Sequence, residues 1–362
     1  MSLTHLSLNT FRNIEAMALS PCDDVNVILG ENGSGKTSLL EAIYFLSSGK
    51  SFRTNLQKLM IKHDTPHCLV HAKKQLHNLS IPLGISKHTS GETKLRIQGQ
   101  ASRKVAELAQ ILPVQVITPE SYELFFGGPK ERRKFLDLGV FHVEHQFYPV
   151  WKIFNQVLKQ RNALLKSRPA DIKSQLNYWD KEFVRLAEQI KTFREAYISR
   201  FQAHFFDKIG DISPLLKSLE IRFQAGWKGE LADVLEKQLE RDIKLGYTTK
   251  GPHKADFNFF TQGHSVEQVF SRGQLKLLLY ALKVMQNSLI DQESDKQSIL
   301  LIDDLPSELS DDTKEAVSRL LMQCQSQLFI TAITPESIAA VIGPMEREVK
   351  MFHVEHGSLI TK

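Results

Sequence analysis

The sequence predicts an α/β fold whose sheet is interrupted by an inserted, mostly helical second lobe. Three observations predict it. An apolar strand at Val25–Leu29 runs into a glycine-rich loop and then an amphipathic helix. Near the other end of the chain a fully apolar strand, Ile299–Ile302, stops at two aspartates. Between the two lies a long stretch with helical periodicity. The division expected is residues 1–126 with 265–362 as the α/β lobe, and 127–264 as the helical lobe.

The elements follow in order. Leu3, Leu8 and Phe11 mark a strand that turns at Arg12-Asn13. The helix after the glycine loop spans about residues 36–46, with Leu39, Leu40, Ile43 and Leu46 on one face. Residues 68–118 read as short strands and one helix. Residues 94–98 alternate in polarity, Gly99-Gln100 is a turn, 105–112 is a helix stopped by Pro113, and Val114–Ile117 is a strand. Gly127-Gly128-Pro129 marks a boundary, and proline suits the first turn of the helix after it. Trp151, Phe154, Val157 and Leu158 share a helical face. After Pro169, the residues Trp179, Phe183, Leu186, Ile190, Phe193 and Tyr197 alternate steps of four and three. That seam is heptad-like but too short for a coiled-coil rod, so the helices should pack as an arm. From 221 the pattern is mixed again: a strand at 256–260, a turn at Gly263, a helix at 273–285, a polar loop at 291–298, a helix at Asp311–Met322 and a strand at 327–333.

The bulk numbers exclude several classes. The chain has 362 residues, 42% hydrophobic and 24% charged, which suits a globular protein. It shows no apolar run long enough to span a bilayer and no signal-peptide pattern at its start. Three scattered cysteines suggest neither a disulfide framework nor a zinc site, and a reducing cytoplasm fits them. The net charge of +5 permits a nucleic-acid partner without requiring one. Lys152, Lys159, Arg161, Lys166, Arg168 and Lys173 are opposed only by Asp171 in residues 150–173. The readings open are a solvated face, a face that docks a partner protein, or a phosphate-gripping one with some of Lys159, Arg161 and Lys166 pointing outward. Lys130, Arg132 and Arg133 on the preceding helix are the fallback.

Three motifs carry chemistry. Gly30-Glu31-Asn32-Gly33-Ser34-Gly35-Lys36-Thr37 matches GxxxxGK[ST] in full, between a strand and a helix. Such a loop turns its N–H groups inward around phosphates. Lys36 should reach the β- and γ-phosphates of ATP, and Thr37 should ligate Mg²⁺. Asp303 and Asp304 close an apolar strand, where two carboxylates are costly without a cation or a proton. Asp303 should hold Mg²⁺, and Asp304 should orient or deprotonate a water. The motifs stand most of the chain apart, which a large insertion explains. Ser271-Arg272-Gly273-Gln274 precedes a helix: alone it is an ordinary cap, but its place before the aspartates suits a signature loop that completes another subunit's site.

The resemblance then becomes specific. The sequence resembles the RecF family of bacterial recombination-repair proteins, within the ABC/SMC ATPase group. The matching pieces are FRN at residues 11–13, GENGSGKTSLLEAI from Gly30, ITPES from Ile117, GGPKERRKFLD from Gly127, KQRNALL from Lys159, GPHKADF from Gly251, SRGQLK from Ser271, and LLIDD with SEL after it. They run in order over nearly the whole chain. The resemblance implies an ABC/SMC-type ATPase head with a helical second lobe. It implies Walker A ligands through Ser38, nucleotide contacts from Arg12 and Asn13, a signature at Ser271, Gly273 and Gln274, and a Q-loop role for Gln115. It further implies an ATP-dependent homodimer, slow ATP hydrolysis, and binding to gapped or single-strand/double-strand junction DNA. RecR, RecO and RecA would be partners in the pathway, with a role in replication and the SOS response. Two positions depart from the family pattern. Ser310 ends Ser307-Glu308-Leu309-Ser310 where an aspartate is usual, and Thr334 follows the last strand where ABC proteins carry a histidine. Thr331 or Thr334 is the candidate to face the γ-phosphate. An ATPase subunit of a transport or other ABC-type complex is the alternative, against which the helical middle, the SRGQ loop and the paired aspartates argue. A structural tether and a binding-only ATP clip complete the set.

Overall fold

The computed structural model describes residues 2–210, 212–294, 296–305 and 309–360. The chain opens with strands β1 (Leu3–Phe11), β2 (Ile14–Leu19) and β3 (Val25–Leu29), then helix α1 (Lys36–Ser48). Strands β4 (His67–Leu76), β5 (Leu79–His88), β6 (Thr93–Ile97) and β7 (Gln100–Ser102) lead to α2 (Val105–Ile111) and β8 (Val114–Ile117). Then come α3 (Glu123–Phe126), α4 (Pro129–Val143), α5 (Phe147–Ser167) and α6 (Ile172–Ile209). They are followed by β9 (Leu219–Gln224), α7 (Leu231–Leu245), β10 (Asp256–Thr261), β11 (His264–Ser265) and α8 (Val266–Val269). The last stretch holds α9 (Arg272–Glu293), β12 (Ile299–Ile302), α10 (Asp311–Met322), β13 (Gln327–Ala332), α11 (Pro335–Ile342), β14 (Val349–Glu355) and β15 (Ser358–Ile360).

Two compact units result, one of Met1–Ser121 with Arg272–Lys362 and one of Tyr122–Ser271. The first holds two sheets. One is antiparallel in the order β2-β1-β4-β5-β6-β7. The other runs β15-β14-β3-β13-β12-β8, parallel except for the β14–β15 hairpin. Strands β3, β12 and β13 are buried at every residue, as a sheet covered on both faces requires. Helix α1 packs between the two sheets: Leu39, Leu40, Ile43, Phe45 and Leu46 share one core with Leu6 and Leu8, and with Leu301 and Phe329. Burying each such side chain contributes roughly 1.5–3 kcal/mol. Gly49, left-handed at φ 65, ends the helix by donating to the Phe45 carbonyl at 2.8 Å.

The second unit packs α4, α5 and α7 against α6, a helix of 38 residues, beside a small sheet in the order β11-β10-β9. The heptad-like seam is the buried face of α6: Phe183, Leu186, Ile190 and Tyr197 are all inside. Buried arginines tie this unit together. Arg194 makes a two-pronged pair with Asp137 at 2.8 and 2.9 Å, and Arg132 holds Asp256.

Three expectations change. The boundaries at 126 and 265 move to 121 and 272, because Phe125 packs on Phe259 and β11 pairs with β10 inside the helical unit. The polar stretch 291–298 is partly helix: α9 continues to Glu293, anchored by buried Val284, Met285, Leu289 and Ile290. Arg161 does not point outward. It is 0% exposed and donates to Asp180 at 2.7 Å, Asp242 at 2.9 Å and the Thr248 hydroxyl at 2.8 Å. The fallback narrows too, since Arg132 is paired and Arg133 donates to the Ala255 carbonyl.

Candidate nucleotide site

In a parallel sheet the carboxyl ends of the strands point one way, and ligands bind there. The ends of β3, β8, β12 and β13 do so here, around a cavity of about 840 Å³. Asn32, Gly33, Gly35, Lys36, Thr37 and Ser38 line it from the glycine loop; Asp303, Asp304 and Thr331 line it from β12 and β13. The loop must begin with glycine. A Cβ on Gly30 would lie 2.2 Å from the Val354 carbonyl oxygen, and its φ of 149 is a conformation that only glycine adopts readily.

The chemistry is concentrated in a few contacts. Thr37 Oγ1 lies 3.0 Å from both oxygens of Asp303. Burial raises the Asp303 carboxyl above the usual aspartate range. A hydroxyl and a carboxylate that close together, completed by phosphate oxygens, suit a small hard cation, so the donors fit Mg²⁺. Thr331 is fully buried; its hydroxyl donates to Asp303 at 2.8 Å and accepts from the Asp304 N–H at 2.8 Å. Asp304 sits at φ 56, a strained setting for a non-glycine residue, and faces the cavity from an exposed turn. The Lys36 ammonium donates to the Gly30 and Glu31 carbonyls at 2.7 and 2.9 Å, and burial lowers its pKa. Ser34 Oγ is buried within the loop beside Gly30, with no hydrogen-bond partner.

Other sequence-derived candidates fall in different places. Arg12 and Asn13 line the cavity; Asn13 donates to the Gly33 carbonyl at 3.2 Å and accepts from Ser38 at 2.9 Å. Gly273 and Gln274 start α9 and are not among the cavity's lining residues, and Ser271 closes the second unit. Gln115 is a correction. It is buried in β8 with its amide on Gln286 at 2.5 Å, so it reaches α9 rather than the cavity. The end of the same strand does reach it, through Pro119 and Glu120. Thr334 caps α11 and does not line the cavity, whereas Thr331 does. Ser310 caps α10 beside the Thr313 hydroxyl at 2.9 Å, and residues 306–308 of the stretch before it lie outside the described residues. Sequence reasoning missed the far wall, where Arg53, Lys58 and Lys62 bring positive charge. The signal was there: residues 49–63 hold Lys50, Arg53, Lys58 and Lys62 and no acid.

A phosphate loop, a strand-end carboxylate pair and an inserted helical lobe define a P-loop nucleoside triphosphatase of the ABC/SMC head type. Comparison with known proteins narrows the class. The family model of the RecF/RecN/SMC N terminal domain matches residues 2–359. A "DNA replication and repair protein RecF" of Pseudoalteromonas translucida is 66% identical over all of both chains. One of Shewanella oneidensis is 42% identical over 99% of this chain and 98% of its own. A solved structure of "the recombination mediator protein RecF-ATPrS in RecFOR pathway" superposes with TM-score 0.85 at 26% identity, covering 99% of this chain and 97% of that one. An Smc head from Pyrococcus furiosus shares the fold at TM-score 0.58 and 14% identity. The chain belongs to the RecF family of DNA replication and repair proteins.

Proposed function

We propose that two copies of this chain close on ATP and Mg²⁺, and that the closed pair grips gapped or junction DNA in recombinational repair. The observation that carries the reading is the half-built site. One chain brings Lys36, Thr37, Asp303, Asp304 and Thr331 to one cavity, while Gly273 and Gln274 of its own signature loop are not among the lining residues. A second copy, its Ser271–Gln274 loop facing this cavity, completes the set. Within each chain Lys36 holds phosphate oxygens, Thr37 and Asp303 hold Mg²⁺, and Asp304 aligns a water and accepts its proton. When bound, the nucleotide supplies the phosphoanhydride whose slow cleavage resets the pair.

Family membership and the named relatives support the wider reading: assistance to RecA loading with RecO and RecR, a part in replication and the SOS response, and a cytoplasmic location. No helix among the described residues is long and apolar enough to cross a membrane. For the DNA contact, α5 offers Lys152, Lys159 and Lys166, seven residues apart and all exposed, on a face opposite the buried Phe154, Val157, Arg161 and Leu165. Ser271→Arg tests the two-copy site. The variant should bind ATP as the wild type does and sediment as a monomer. An ATP-dependent dimer of normal stability would leave Ser271 outside the nucleotide interface.

A further inference from the structure

One buried carboxylate near the cavity has no part in the phosphate chemistry described so far. Glu41 lies on α1, one helical turn beyond Thr37, and is 0% exposed. A buried charge is costly unless it is paired and hydrogen-bonded. Three partners meet it. Arg12 donates through Nε at 2.8 Å and Nη2 at 2.6 Å, the Ser51 hydroxyl donates at 2.5 Å, and Arg53 Nη1 stands 3.7 Å away. Both arginines line the nucleotide cavity.

We propose that Glu41 is a positioning residue of this site: it fixes the Arg12 guanidinium on the cavity wall so that the remaining edge of the fork meets nucleotide phosphate. Three features point the same way. An apolar side chain at position 41 would pack in the same core without a charge to neutralise, yet the chain places a carboxylate there. Arg12 sits at φ 56, a left-handed conformation that a non-glycine residue holds only where its surroundings impose it. Those surroundings are built around the phosphate loop: the next residue, Asn13, bonds Gly33 and Ser38, and the Arg12 N–H donates to the Met60 carbonyl at 2.9 Å. Glu41 also stands between two guanidinium groups, and it offsets the repulsion that would otherwise drive Arg12 and Arg53 apart. Phosphate recognition by arginine depends on the aim of a planar fork, so a carboxylate that sets that aim sets affinity.

The proposal rests on reading the cavity as an ATP site, and the test separates the two. ATP is titrated onto the full-length wild type, Glu41→Gln, Arg12→Ala and the double variant, with thermal melting measured in parallel. Glu41→Gln keeps the side chain's volume and loses its charge, so affinity should fall about tenfold, the weight of one charge-assisted hydrogen bond. Arg12→Ala should fall at least as far, and the double variant no further than Arg12→Ala alone, because Glu41 acts through Arg12. Losses that multiply in the double variant, or a folded Glu41→Gln with wild-type affinity, overturn the proposal, even if its melting temperature drops. If Glu41→Gln does not fold, Glu41→Asp takes its place. Its shorter carboxylate should draw Arg12 back and weaken ATP at least threefold, and wild-type affinity again overturns the proposal. A wild type that binds no ATP would instead defeat the nucleotide reading itself.

Discussion

Arg161→Ala should destabilise the helical unit without touching the nucleotide site. The guanidinium is 0% exposed and pairs with Asp242, also 0% exposed, and with Asp180, which is 27% exposed. Removing one partner of a buried pair costs about 3–5 kcal/mol, because the other charge stays buried. The lower half of that range applies here. Asp180 can rehydrate, and Asp242 still accepts from the Thr249 N–H at 3.0 Å and its hydroxyl at 2.7 Å. Lost packing adds to the cost, since the guanidinium also lies over the Phe183 ring at 5.7 Å. Urea unfolding followed by tryptophan fluorescence is the assay, because the three tryptophans, Trp151, Trp179 and Trp227, all lie in the second unit. The control is Lys152, Lys159 and Lys166 all changed to Gln. It should unfold within about 0.5 kcal/mol of wild type, yet bind junction DNA more weakly, with a salt slope flatter by about one unit per lost contact. An Arg161→Ala protein of unchanged stability but weakened DNA binding would refute the buried-pair reasoning and return Arg161 to the DNA face.

Two further outcomes follow from single side chains. Lys36→Ala should nearly abolish ATP binding, since the phosphates lose their buried counter-charge; labelled-ATP titration checks it, and unchanged affinity removes the phosphate-loop assignment. His253 gives a pH signature. Burial pushes its pKa down from 6.5 to about 4, against the Thr248 carbonyl at 2.9 Å from Nε2. The unfolded chain therefore takes up a proton that the folded one refuses, so stability falls as pH drops from 6.5 to 4, by at most about 3 kcal/mol. Chemical denaturation across that window should show the slope in the wild type and lose it in His253→Gln; an unchanged slope assigns it to other groups.

Much of the site was legible because its chemistry is local in sequence. The residues from Gly30 to Thr37 form one contiguous loop, and Asp303 ends a strand too apolar to be anything but internal. The α6 seam was legible because its period is regular. What escaped depends on tertiary context or on phase. The charge run of residues 150–173 hides Arg161, which stands in step with Phe154, Val157 and Leu165, all buried. Its helical phase outweighed its charge. Proximity to a turn suggests a cavity role for Gln115, but alternation along β8 aims it at Gln286 instead. Strands β14 and β15 were missed altogether; β14 is half-exposed and gains its place by pairing with β3, a partner more than three hundred residues away in the chain. The cationic wall at 53–62 carries no motif, and only the fold brings it to the phosphate loop.

The two-copy nucleotide site is tested most directly by light scattering on Asp304→Asn with and without ATP and Mg²⁺. The substitution removes the proton acceptor proposed above and leaves Thr37, Asp303 and Lys36 in place, so the closed state should persist instead of turning over. The mass in ATP should be twice that of one chain, falling to a single chain's mass when ATP is withheld. A protein saturated with ATP that remains a single chain in solution would contradict the completion of this site by a second copy.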